Sequence, residues 1–184
     1  MPMNNHNLYG QFSNHYETQP DRQLLQTSDG QSWTWRDADE HSARIAAFLT
    51  SLGVQPGERV SVQVEKSPQA LMLYLACLRA GFVFHPLNTA YQASELEYFL
   101  GNAEPAVFVG DPGRADAIAA LATAAGVRHT FTLDAAGLGS LVDECRDAPS
   151  TFDTVDSAQD DLAALLYSSE PTGVPNGHML TPGK

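Results

Sequence analysis

The sequence predicts an α/β fold in which helices cover a mostly parallel sheet, and three observations predict it. Short β-branched or aromatic runs alternate with longer helical patterns from Arg59 to Leu133, and strands separated by helices are joined most simply as parallel neighbours through crossovers. Helical runs stop at Gly53 and Gly81, residues able to take the left-handed conformation that ends a helix. The chain has 184 residues, 43% hydrophobic and 17% charged, enough apolar material for one substantial core or two small ones.

Leu8, Phe12 and Tyr16 recur at helical spacing and predict an amphipathic helix ending before Pro20. QLLQT and SWTWR flank SDGQ, two β-prone runs joined by an Asp-Gly turn signal, hence a hairpin. Trp33 and Trp35 would then share one face of a strand and pack on the opening helix. DADEHSARIAAFLTSLG carries Ala43, Ala46, Ala47 and Leu49 at helical intervals, with the acidic run Asp37–Glu40 near the N-terminus, where the helix dipole favours it. RVSVQV is a strand, and Ser67-Pro68 opens the apolar helix QALMLYLACLRAG. FVFHPL is a strand, ASELEYFLGNA a helix begun by Ser94 with Glu97 three residues on, and AVFVG a strand. RADAIAALATAAG is a helix, HTFTL a strand and GLGSLVDECRD a helix. The polar stretch Ala148–Gln159 is expected to be a mobile connection, followed by the buried strand DLAALLY.

Charge excludes several roles. Against 22 Asp+Glu stand 10 Lys+Arg, a formal net charge of −12, and Lys66 and Lys184 are the lysines. No cationic stripe for nucleic acid or an anionic membrane surface can be assembled from these. The apolar stretch Ala70–Ala80 is far shorter than the ~20 residues that span a bilayer and contains Arg79. MPMNNHNLYG lacks a basic start followed by an apolar core, and Cys77 and Cys145 are distant in sequence, which suits a reducing cytoplasm and offers no zinc spacing.

A strand ending at Tyr167 delivers a loop dense in Ser, Thr and Gly: Ser168, Ser169, Thr172, Gly173 and Gly177. Glycine lets backbone N–H groups approach phosphate oxygens, and hydroxyls add donors. A solvated turn between two strands has the same composition. The Walker pattern is absent, because no Ser or Thr follows Lys184, and Gly137 and Gly139 lack the third glycine of a dinucleotide fingerprint.

DDLAALLYSSEPTGVPNGHMLT resembles the phosphate loop of the adenylate-forming enzymes, the family of acyl-CoA synthetases, firefly luciferase and peptide-synthetase adenylation domains. Ser169, Thr172, Gly173, Pro175 and Gly177 match its pattern in register, with Ser168 a conservative replacement. LYLACLRAGFVFHPLNTAYQASELEYFLGNAEPAVFV resembles the family's N-terminal stretch, and PLNTAY with Glu65–Ser67 is similar to malonyl-CoA synthetases. The resemblance implies that residues 1–184 form the first part of the N-terminal, AMP-binding domain of an acyl-CoA synthetase, without the mobile C-terminal domain. It implies ATP, Mg²⁺ and coenzyme A as cofactors, malonate or a similar small carboxylate as substrate, and an acyl-adenylate intermediate. Ser168, Ser169, Thr172, Gly173 and Gly177 would cradle the nucleotide's phosphates.

The loop also departs from the family pattern. Glu170 stands where the family has Gly, Pro171 where it has Ser or Thr, Asn176 where it has Lys, and Pro182 where a His is usual. One positive charge is lost and one negative charge gained beside a triphosphate. The expectation is weak ATP binding and no turnover by this chain alone, no catalytic residue being assignable. A non-catalytic binding or assembly module is the alternative, with self-association through an exposed sheet edge. His85, next to Pro86 at a strand end, reads as structural rather than as a ligand-cleft residue; Glu65 and Lys66 read as a solvated corner, and Cys77 as core.

Overall fold

The computed structural model describes residues 7–157, 161–169 and 175–181. Helix α1 (Leu8–Thr18) is capped by Asn7, whose side chain accepts a hydrogen bond from the Tyr9 amide at 2.9 Å. Strands β1 (Gln23–Gln26) and β2 (Ser32–Thr34) form the expected antiparallel hairpin. Helix α2 (Trp35–Ser51) opens with a capping box in which Thr34 and Asp37 satisfy each other's exposed N–H groups. Trp35 is therefore the first residue of α2, correcting its expected place on a strand: it stacks on His15 and meets Tyr16 edge-on, whereas Trp33 turns away to His41.

Strand β3 (Arg59–Gln63) leads into α3 (Pro68–Ala80). Ser67 accepts from the Ala70 amide at 3.1 Å, Pro68 takes the first turn, where its missing N–H costs nothing, and Gly81 ends the helix at φ 71°. A Cβ at Gly81 would also meet Val155 Cγ2 at 2.9 Å, so both conformation and close approach call for glycine there. Strand β4 (Val83–Pro86) precedes α4 (Ala93–Ala103), whose cap lies two residues before the expected one. Gln92 is the cap and Glu95 reaches back to its amide at 2.9 Å, replacing the Ser94/Glu97 pairing read from sequence. Then follow β5 (Val107–Gly110), a 3-10 turn (Pro112–Arg114), α5 (Ala115–Ala124), β6 (His129–Thr132), the short α6 (Ser140–Glu144), β7 (Ala164–Ser169) and β8 (Pro175–Leu180).

The main sheet has the order β6-β5-β3-β4-β7-β8; β6, β5, β3, β4 and β7 run parallel and β8 is antiparallel. The α/β class and mostly parallel sheet match the sequence reading; β8 was not anticipated. Side chains leave β5 alternately. Val107 and Val109 join the larger core with Val60, Val62, Leu73 and Leu49, and Phe108 enters a second core with Leu96, Phe99, Leu100 and Ile118. Thus α1, α2, α3 and α6 pack on one face and α4 and α5 on the other, and the central strands β3 and β5 are buried on both sides.

Helix α1 docks through Tyr9 and Tyr16, both buried, while Phe12, expected on its packing face, is exposed. The reason is polar. The Tyr9 hydroxyl donates to Asp39 Oδ1 at 2.8 Å, and its ring lies 4.3 Å under the guanidinium carbon of the buried Arg79. Arg79 Nη1 donates to Asp39 O, Asp39 Oδ1 and Ser42 Oγ at 2.8–3.1 Å, and Nη2 to Phe152 O at 2.8 Å. Val155 donates back to Arg79 O, and Asn7 Nδ2 donates to Leu78 O and Val155 O. The stretch expected to be mobile is thereby tied down from Phe152 to Val155.

Candidate functional site

The site read from sequence falls on the β7–β8 hairpin. Strand β7 starts in the core, where Ala164 and Leu165 are buried, and runs in the same sense as β3 to β6, so Ser168 and Ser169 close its C-terminal end. Open α/β sheets bind ligands at that end of their strands. The antiparallel ladder then pairs Ser169 with Pro175, Ser168 with Asn176 and Tyr167 with Gly177. Of the five candidate residues, the backbone brings Ser168, Ser169 and Gly177 onto one short stretch of ladder. Residue 176, the position where the resemblance expects a lysine, is the direct partner of Ser168. Thr172 and Gly173 lie outside the described residues, as do Asp160, Glu170, Pro171 and Pro182.

A second group gathers where the strand order changes direction, outside the C-terminal ends of β3 and β5. Gln63 Nε2 donates to Asn88 O at 2.9 Å and Tyr91 O at 3.0 Å. Arg114 Nη1 donates to Gln63 Oε1 and to Tyr91 O, each at 3.3 Å. These bonds hold the loop after β4 over the end of β3. Beside them is a cleft of about 190 Å³ lined by Gln63, Val64, Glu65, Thr89, Asp111 and Arg114. The Arg114 cation there faces two carboxylates, Glu65 and Asp111, so the cleft has no net positive charge. Sequence reasoning passed over Gln63 and Arg114, although their positions one residue from a strand end and in the turn after β5 were signals. Glu65 and Lys66 are exposed, as read.

His85 is enclosed by the fold. It and Ser61 are fully buried on neighbouring strands, with Ser61 Oγ 2.6 Å from His85 Nδ1. Burial, helped by the nearby Arg59 charge, lowers its pKa to about 4, so the ring is neutral at pH 7. This supports the structural reading. Cys77 is completely enclosed and burial pushes its thiol up, away from the thiolate that reactivity requires; both cysteines are free. Among the described residues no three His, Cys, Asp or Glu side chains gather to hold a metal ion, and no helix is long and apolar enough to cross a membrane.

Residues 12–184 match the family described as AMP-binding enzyme. MatB from Rhodopseudomonas palustris superposes in its apo form with a TM-score of 0.91 at 41% identity, over 97% of this chain and 35% of that one. Its ATP-bound form superposes with a TM-score of 0.90, again at 41% identity and the same coverage. A feruloyl-CoA synthase from an Amycolatopsis species is 34% identical over 154 residues, 84% of this chain and 29% of that protein. The chain thus spans about a third of the length of these relatives.

Proposed function

The chain belongs to the AMP-binding enzyme family of adenylate-forming acyl-CoA ligases, and from that premise we propose that it is the first part of the N-terminal domain of a malonyl-CoA-synthetase-like enzyme. In this reading the whole protein joins malonate, or a similar small carboxylate, to coenzyme A through an acyl-adenylate, with release of AMP and pyrophosphate. The observation that carries the proposal is the likeness to the ATP-bound form of MatB over almost the entire chain, and the choice of malonate rests on PLNTAY and Glu65–Ser67, the segments similar to malonyl-CoA synthetases. The 34% identity to a feruloyl-CoA synthase supports the ligase chemistry equally and the choice of malonate less.

The hairpin's part is to hold phosphate. Backbone N–H groups and hydroxyls along residues 168–177 would surround the β- and γ-phosphates of MgATP, offsetting charge as the carboxylate attacks the α-phosphate. Magnesium carried by the nucleotide would neutralise part of that charge. The chain's own substitutions work against the task. Asn176 supplies no cation, Glu170 adds an anion, and Pro171 has no N–H to donate. At ~5 Å and an effective dielectric of ~20, each unit charge alters the interaction by roughly 3 kcal/mol before Mg²⁺ screens it. These departures favour the second reading, a phosphate-loop relative that binds or assembles without catalysis.

Calorimetry separates the two. Titration of the parent chain, Asn176→Lys, Glu170→Gly and the double variant with MgATP and with pyrophosphate is expected to show weak or no binding by the parent. Each single change should tighten binding roughly tenfold or more. The double variant should depart from additivity, because both charges act on the same phosphates. Tight binding by the parent, or no gain in any variant, removes the hairpin as the phosphate site. Malonate-dependent pyrophosphate release by the uninterrupted reading frame, absent with feruloyl-type acids, tests the substrate.

A further inference from the structure

Away from the hairpin, on the face covered by α2, α3 and α6, the molecule contains a cavity of about 390 Å³, within the size range of small-molecule sites. Its walls are apolar: Ile45 from α2, Met72 from α3, Leu141 and Val142 from α6, and Cys145 just beyond α6. Besides His41, three polar side chains with different commitments stand at its edge. Arg146 is paired with Asp143 at 2.7 Å. Arg44 is half-buried and donates through Nη1 to two main-chain carbonyls, Arg146 O at 3.1 Å and Ala148 O at 3.0 Å. Among the described residues it takes part in no ion pair, although the chain has twelve more acidic than basic side chains. Its charge acts on both His41 and Cys145, which line the same space. Gln69, the third, has a buried Oε1 with no hydrogen-bond partner among the described residues.

An apolar chamber and, at its mouth, a guanidinium with no ion-pair partner among the described residues together specify a ligand with a short hydrocarbon tail and one anionic head; the Gln69 oxygen is an acceptor and adds nothing to the binding of that anion. We infer that this cavity is a binding site, separate from the phosphate hairpin, for an amphipathic monocarboxylate, whose tail occupies the space between Ile45, Met72, Leu141 and Val142 and whose carboxylate meets Arg44. The guanidinium orients the head. Its carbonyl bonds already fix the side chain, so little rotamer freedom remains to be lost on binding. A neutral alcohol of the same tail gains the apolar contacts and loses the charge-assisted bond, and acetate keeps the head and loses the tail. The inference does not depend on nucleotide binding or on ligase activity.

The test is a methyl NMR titration of the intact chain with hexanoate, hexanol and acetate. Hexanoate is expected to shift the methyl signals of Ile45, Met72, Leu141 and Val142, and to bind about tenfold more tightly than hexanol and more tightly still than acetate. Arg44→Gln should abolish the preference for hexanoate over hexanol, and Arg44→Lys should retain most of it. Val142→Phe, which fills the chamber without touching the cation, should remove binding of both tailed probes while leaving the folded spectrum intact. It serves as the independent check if Arg44→Gln perturbs the fold. Hexanol binding as tightly as hexanoate, unchanged hexanoate affinity in both Arg44→Gln and Val142→Phe, or no shift of these methyls by about 10 mM hexanoate would overturn the assignment.

Discussion

Two corners of one face handle a cation in opposite ways. In the corner of α1, α2 and α3, Arg79 is almost wholly buried, pairs with Asp39 at 3.1 Å, bonds Ser42 and Phe152, and covers the Tyr9 ring. In the corner of α2, α3 and α6, Arg44 is half-buried, bonds carbonyls only and borders a cavity. A buried charge needs a counter-charge and satisfied donors, or the desolvation penalty defeats it. Arg79 has the counter-charge and acceptors for Nη1 and Nη2, its Nε alone lacking a partner among the described residues, and it holds structure together. Arg44 lacks the counter-charge, so its charge remains available to something outside the chain. His85 shows a third solution, in which a buried basic group stays neutral.

Substitutions rank these solutions. Arg79→Met is expected to have the largest effect, a loss of about 3–4 kcal/mol in urea unfolding, because it leaves the carbonyls of Asp39 and Phe152 without their donor, while the main-chain bond to Val155 remains. Asp39 itself is 41% exposed and can return to water, which keeps the loss from being larger. A change below about 1 kcal/mol would show that the corner is held by apolar packing instead. The effect of His85 is read through pH. The folded state keeps its ring neutral down to about pH 4, whereas the unfolded chain takes up the proton near 6.5. The unfolded state therefore binds more protons in that window, and stability rises with pH, being complete above about 6.5 and lost as pH falls toward 4. The contribution is about 2–3 kcal/mol. It should appear as a steeper acid loss in the parent than in His85→Asn; equal slopes would mean that His85 is accessible and charged. Arg44→Gln should cost least, about 1 kcal/mol or less, since two bonds at a half-exposed site are lost with no carboxylate left behind. A loss comparable to that of Arg79→Met would collapse the distinction between the corners.

The strand and helix alternation from Arg59 onward was legible because each element carries its own period and stop. Ser67, Pro68 and Gly81 bracket α3 by local chemistry alone. Errors arose where two local signals competed. SWTWR is β-prone, yet the Thr34–Asp37 capping box starts the helix at Trp35; ASELE holds two acids, and the one that caps is Glu95. Strand β8 contains Gly and Asn and exists because β7 offers it a ladder, which no window within it reveals. The β7–β8 hairpin was singled out as a phosphate site through resemblance, not periodicity. Arg44 and Arg79 were opaque as sites because their partners lie far along the chain, as Arg146 and Ala148 do from Arg44 and Phe152 from Arg79.

The attachment of β7 to the sheet has a mechanical meaning. Among the described residues, β4 and β7 are registered at Phe84 and Ala164, with the Phe84 amide bonded to Ala163 O at 3.1 Å. The next bond of a parallel ladder would run from residue 86 to Leu165 O, and residue 86 is a proline without an N–H. Beyond that point β7 is tied to β8 instead, through Ser169 and Pro175. The hairpin is therefore a cantilever, clamped at Ala164 and cut loose from β4 by one missing hydrogen. A rotation about that clamp would displace Ser169 more than Ala164 and would leave the β3–β4 and β3–β5 ladders intact.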